Sequence, residues 1–215
     1  MNHSRLYEYR FRDVPQERRS AAWAVLAPEL SRLLGSPTRL LDPAAGRCEF
    51  INAAPAAERW AVDAVEHAET ETQPDVRLLI GDAMTVELPA AYFDGILVSN
   101  FLEHLGGQDE VAAFLERMHT LTVPGARIGV LGPNFRHCAG RYFDFADHTV
   151  PLTERSVAEH LYAAGFEPTI VRARFLPYSF TGRLPAHPAL VRAYLRMPPA
   201  WRLFGKQYLV LAQRP

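Results

Sequence analysis

Residues 38–50 read TRLLDPAAGRCEF. The segment 38–44 has the length and apolar content of a short buried strand. Asp42 closes it, and the small residues Ala44, Ala45 and Gly46 follow. Small residues there let the backbone approach a ligand closely. Three later segments end in a related way. Residues 59–65, RWAVDAV, form a strand with Asp63 near its end, and residues 76–81, VRLLIG, form one followed by Asp82 and Ala83. Residues 93–100, FDGILVSN, form a fourth that ends at Asn100.

Helical segments alternate with these strands. Residues 16–35 place Trp23, Leu26, Leu30 and Leu33 on one face, with a break expected at Pro28. Val111, Phe114, Leu115, Met118 and Leu121 recur at helical spacing after the fourth strand. A Pro-Gly turn then leads into a strand over 126–132. Thr153 is placed to cap the next helix, with Leu152 and Val157 at staple positions and Gly165 at its end. Strands over 166–176 and 206–213 close the chain. This alternation predicts an α/β fold with a mainly parallel sheet and helices on both faces. Ligands then bind at the carboxyl ends of the strands, near the topological switch point.

Each acid has an ordinary reading. Asp42 can cap a helix, Asp63 can end a strand and Asp82 can form an Asx turn. Their shared place after three successive strands favours a ligand. A carboxylate is a bidentate acceptor, suited to both hydroxyls of a ribose or to an adenine amino group. A dinucleotide fits less well, because a pyrophosphate needs the spacing G-x-G-x-x-G and this loop has one glycine.

The set resembles the class I S-adenosylmethionine-dependent methyltransferases. LLDPAAGRCEF, AVD, GDAM, FDGILVSNFLEHL and LTVPGARIGVLGPN look like their successive motifs. The resemblance implies a Rossmann-like fold with a seven-stranded, mainly parallel sheet containing one antiparallel strand. It implies S-adenosylmethionine as cofactor, with Asp42, Ala44, Gly46, Asp63, Asp82, Ala83 and Asn100 as donor contacts. The motif departs from the family where Ala44 and Cys48 stand in place of glycines. Alanine fits if φ stays negative, and Cys48 is expected inside a helix. The stretches GPNFRHCAGRYFDFADHTVPLTERSV, RFLPYSF and YLRMPPAWRLFGKQ resemble a narrower group of bacterial methyltransferases linked to glycan or secondary-metabolite biosynthesis.

Residues 133–151 form a long connection over the expected donor, and long connections in compact domains are often functional. They carry Asn134, Arg136, His137, Arg141, Tyr142, Asp144, Asp147 and His148. The expected reaction is methylation of a hydroxyl of a small molecule or sugar, with N- or C-methylation and a non-catalytic methyltransferase-like binding protein as alternatives. Transfer to a hydroxyl needs alignment and a proton acceptor. His148 is the candidate base, with Asp144 or Asp147 orienting its ring and Asn100 nearby. Helix capping by His148 is the ordinary alternative. A metal held by Asp144, Asp147 and His148 is disfavoured, so no metal is expected. Asn100 and Glu103 stand near the donor, whereas His104 reads as a packed, hydrogen-bonded histidine.

The chain forms one domain: a helical segment 1–37, a donor-binding core 38–175 and an insertion 176–206 before the last strand. Its 215 residues are 48% hydrophobic, enough for one sizeable core. In the insertion, Leu190, Val191, Tyr194 and Leu195 suggest an amphipathic helix. Arg183, Arg192, Arg196 and Arg202 accompany Trp201, Leu203 and Phe204. It is a candidate cover for the acceptor pocket, homodimer contact or peripheral membrane contact. The net charge is −1, yet every acid precedes residue 168 and eight Lys/Arg follow it. An anionic or sugar-linked small molecule suits that basic region better than nucleic acid. Two cysteines suit reduced thiols in a cytoplasmic protein. The charged N-terminus lacks a signal peptide's apolar core, and no segment is long and apolar enough to span a membrane.

Overall fold

The computed structural model describes residues 3–12, 15–65, 68–178 and 187–215. Arg183, assigned above to the basic insertion, lies outside them. The strands are β1 (Arg39–Asp42), β2 (Glu58–Asp63), β3 (Val76–Ile80), β4 (Phe93–Ser99), β5 (Thr122–Pro133), β6 (Glu167–Arg172) and β7 (Gln207–Gln213). The helices are α1 (His3–Phe11), α2 (Gln16–Leu33), α3 (Glu49–Ala53), α4 (Ala68–Glu71), α5 (Gln108–Leu121), α6 (Phe135–Tyr142), α7 (Glu154–Ala163), α8 (Pro188–Leu195) and α9 (Pro198–Phe204). A 3-10 turn, Leu102–His104, follows β4.

The strands form one seven-stranded sheet in the order β3-β2-β1-β4-β5-β7-β6. β1 pairs in parallel with both β2 and β4, so the strand order reverses there. Only β7 runs antiparallel, between β5 and β6. This is the expected Rossmann-like arrangement.

Alternation along the strands builds two cores. Leu41, Ile96, Val98 and Val130 face Phe114, Met118, Val157 and Leu161 from α5 and α7. Leu40, Leu97, Leu131 and Leu211 face Trp23, Leu26, Leu30, Phe50 and Ile51 from α2 and α3. Neighbouring residues thus serve opposite faces, as a period of two requires.

Two local expectations change. α2 runs through Pro28 without ending, although proline removes one backbone bond. Its buried face, including Trp23, Leu26 and Leu30, holds it to the sheet. The predicted Pro-Gly turn is a bulge inside β5. Gly125 takes φ +81, and the register with β4 jumps from Phe93↔Thr122 to Gly95↔Arg127.

α7 starts as predicted. Thr153 and Ser156 form a reciprocal capping box, Leu152 and Val157 are buried, and Gly165 takes φ +94 beyond the last turn. The described residues of the insertion from 187 onward form α8 and α9. Val191, Tyr194, Leu195 and Trp201 pack on the α2 side of the sheet. Leu190, Met197, Leu203 and Phe204 remain exposed. No helix among the described residues is long and apolar enough to cross a membrane.

Candidate functional site

Because β1, β2, β3 and β4 are mutually parallel neighbours, Asp42, Asp63, Asp82 and Asn100 all sit at one edge of the sheet. Asp63 closes β2 and ties its neighbours. Its Oδ2 accepts the Gly46 N–H at 2.6 Å and its Oδ1 accepts the Val65 N–H at 2.9 Å. Gly46 takes φ +55, and a Cβ added there would meet nothing within 4 Å. The glycine therefore serves the backbone conformation and leaves open space before it.

Asp42 is buried at the end of β1, and its Oδ1 has no hydrogen-bond partner. Burial pushes its carboxyl up to about 8, against a backbone N–H of Ala44 and with help from the Asp63 charge. Ala44 needs no left-handed backbone. Cys48 corrects the sequence reading: it precedes α3 as its N-cap, at φ 57, with its side chain buried against Thr72 Oγ1 at 3.2 Å.

Asp82 makes the Asx turn, accepting the Met84 N–H at 2.8 Å, and is otherwise exposed. Its neighbour Ala83 is buried in the α5 core, and its carbonyl accepts from Arg117 Nε at 2.9 Å. Asn100 takes φ 51 directly after β4, and its amide donates to Ser99 Oγ at 3.1 Å. A left-handed asparagine at a strand end marks a backbone held out of its usual range.

The connection 133–151 is more ordered than its sequence suggests, because α6 occupies its first half. Asn134 caps α6, accepting the Arg136 N–H, and donates to Glu154 Oε2 at 2.6 Å and Ala173 O at 2.8 Å. Asp144 is exposed and faces Arg141 at 3.7 Å. Asp147 is buried, but it does not orient His148 as expected. Its carboxylate pairs with Arg10 of α1 and lies 3.4 Å from His104 Nδ1. Burial raises the Asp147 carboxyl, yet His104 and Arg10 together hold it below its ordinary value.

His148 packs against Tyr142, His104 and Phe145, with ring centroids 4.8–5.0 Å away. Its Nδ1 is buried without a partner, and burial, then the His104 charge, push its pKa down to about 4. Glu103, one turn beyond Asn100, is also buried, which raises its carboxyl. Sequence reasoning set Glu103 near the donor but missed its grouping with His104 and His148. The adjacent pairs Glu103-His104 and Asp147-His148 were the available signal. The Arg10 contribution, 137 residues from Asp147, had none.

Residues 34–130 match the model of a methyltransferase domain. A search of the curated proteins finds no match. Among solved structures, a SAM-dependent methyltransferase from Archaeoglobus fulgidus superposes with a TM-score of 0.68 at 20% identity, covering 99% of this chain and 100% of its own. A SAM-dependent methyltransferase from Thermotoga maritima gives 0.66 at 16%, covering 97% and 94%. The N-methyltransferase NodS from Bradyrhizobium japonicum gives 0.60 at 13%, covering 88% and 94%. The fold is the one these proteins share, and the matched domain supports S-adenosylmethionine as the cofactor.

Proposed function

We propose that the chain is a methyltransferase that uses S-adenosylmethionine to methylate a hydroxyl of a small molecule or sugar in a biosynthetic pathway. The alignment of Asp42, Asp63 and Asp82 after β1, β2 and β3, with Asp63 bonded to Gly46 and open space before that glycine, carries this reading. Asp63 would hold the ribose, because a carboxylate at the end of β2 can accept from both of its hydroxyls. Asp82 would take the adenine amino group beside Ala83. The unpartnered oxygen of Asp42 and the small Ala44 and Gly46 would face the cationic end of the donor.

The acceptor would enter on the side of Asn100 and the 133–151 connection. Transfer from sulfonium is an in-line displacement, in which the protein supplies alignment. The neutral ring of His148 would accept a hydrogen bond from the acceptor hydroxyl, and Asn100, at the end of β4, would orient it. Asp147 supports this region through Arg10 and His104, and Asp144 stands at its exposed rim. The excess of Arg and Lys after residue 167 favours an anionic or sugar-linked acceptor.

Calorimetric titration with S-adenosylmethionine tests the donor site, and transfer of radiolabelled methyl to candidate hydroxyl acceptors tests the reaction. A folded protein that binds no donor would remove the reading. Label recovered on nitrogen or carbon would move the acceptor class.

A further inference from the structure

We infer that Glu103, His104 and His148 form a binding site for one divalent transition-metal ion. One donor atom from each lies within 4.8 Å of the others. Bound zinc has ligand distances near 2.0–2.2 Å, which sets neighbouring donors about 3.4 Å apart. The donors would have to draw together by about 1 Å on binding the ion.

Three observations point these atoms at a cation. Glu103 Oε2 and His148 Nδ1 are buried without hydrogen-bond partners. Glu103 as a whole is 2% exposed. Buried acceptors left unpaired are costly, and a cation satisfies them. His104 supplies the third donor. Its Nδ1 lies 3.0 Å from the Asp147 carbonyl oxygen. A carbonyl only accepts, so Nδ1 carries a proton, and in the neutral ring Nε2 keeps its lone pair. Nε2 lies 4.0 Å from Glu103 Oε1. Metal-binding histidines are commonly held this way, by the nitrogen that does not bind the metal.

The backbone fixes the two halves of the site together. The N–H groups of Thr149 and Val150 donate to the Glu103 carbonyl at 2.8 and 3.2 Å. His148 is therefore stapled beside Glu103 and His104. Two imidazoles and one carboxylate suit zinc, manganese or iron better than magnesium. This set differs from the loop acids considered from sequence, since Asp144 points to solvent and Asp147 stands behind His104. The binding site itself stands independently of the methyl-transfer reading. Its consequence rests on that reading: with His148 Nδ1 on the ion, that nitrogen no longer accepts from the acceptor hydroxyl, and the ion one turn beyond Asn100 would polarise the acceptor oxygen instead.

The test uses tag-free, chelator-stripped protein titrated with zinc and manganese chlorides by calorimetry, with magnesium as comparator. One zinc or manganese ion per chain and a rise in melting temperature are expected. Glu103→Gln, His104→Ala and His148→Ala should each weaken binding at least about tenfold, while Asp144→Ala should not. No binding by folded wild-type protein would overturn the site, as would undiminished binding in the His104→Ala/His148→Ala double variant. If those variants fail to fold, cobalt(II) added to wild-type protein decides: a visible band displaced by zinc is expected, and its absence overturns the site. Donor titration of the same samples separates the two readings. Lost donor binding with intact metal binding sinks only the methyl-transfer reading, and the converse sinks only the metal site.

Discussion

The Gly46 N–H donates to Asp63 Oδ2 at 2.6 Å, so the loop after β1 is held in place by the residue that ends β2. The bond couples two parts of the proposed donor site. Asp63→Ala should therefore act twice, by removing a ligand acceptor and by releasing the loop. Loss of a hydrogen bond to a charged group costs about 1.5–3 kcal/mol, roughly 10- to 150-fold in affinity. Calorimetry with S-adenosylmethionine on folded variant measures it. Unchanged affinity would take Asp63 out of the site.

Gly46 allows stability and binding to be separated. Its φ of +55 strains most side chains, and the absence of neighbours within 4 Å means that no clash adds to the strain. Asparagine tolerates this backbone better than other non-glycine residues. Gly46→Asn should therefore melt close to wild type, while its side chain fills the open space and lowers donor affinity. Thermal melts paired with donor titrations read both effects. Wild-type donor affinity in this variant would place the donor elsewhere.

Much of this region was legible in the sequence, because strand-end acids and small residues are local signals. The strands, the Thr153 cap and the edge shared by Asp42, Asp63 and Asp82 followed from periodicity and turn chemistry. Cys48 was misplaced because the sequence shows its size and not its backbone, which is left-handed at φ 57. The Pro-Gly turn became a bulge because β4 offered pairing on both sides of Gly125. His148 was given the wrong acid. Adjacency in sequence suggested Asp147, whereas the fold spends that carboxylate on His104 and on Arg10.

Asp42 should leave a signature in the pH dependence of stability. Burial raises its folded pKa to about 8, above the value near 3.9 of an unfolded aspartate. The folded state then binds more protons between those values, so this residue lowers stability as pH rises from about 4 to about 8. Asp42→Asn removes that contribution. Its stability relative to wild type should rise with pH across this window and level off above it. Denaturant midpoints at several pH values measure the difference, and a pH-independent difference would show that Asp42 ionises normally. Donor binding to wild type should strengthen over the same range, because the ionised carboxylate attracts the sulfonium.

Glu154 supplies a structural control. It is buried at the start of α7, accepts from Asn134 at 2.6 Å and has Arg136 at 3.6 Å. Glu154→Ala leaves one Asn134 N–H without its partner, while the bond to Ala173 O persists. The expected loss is about 1–3 kcal/mol of folding stability. Donor affinity should hold, because β1 and β2 do not depend on this pair. Chemical denaturation and calorimetry on one preparation check both halves.

Arg10 and Asp147 join α1 to the segment that carries His148, across 137 residues of chain. Their side chains are only 14% and 5% exposed, so solvent screens the pair weakly. Arg10 also lies over the Phe145 ring, 4.7 Å from its centroid. A double-mutant cycle with Arg10→Ala and Asp147→Ala should give a coupling of about 0.5–3 kcal/mol in unfolding free energy. The Asp147 carbonyl bond to His104 is a backbone contact, so it survives both substitutions. Turnover should therefore fall less in Asp147→Ala than in His148→Ala, which removes the ring proposed to face the acceptor. With the pKa of that ring pushed down to about 4, the loss should sit near the lower end of the 10²–10⁴ range of positioned bases, about 10². Additive stabilities would mean that the pair does not hold α1 to the site. Equal losses of kcat in the two variants would mean that Asp147 acts on the acceptor itself.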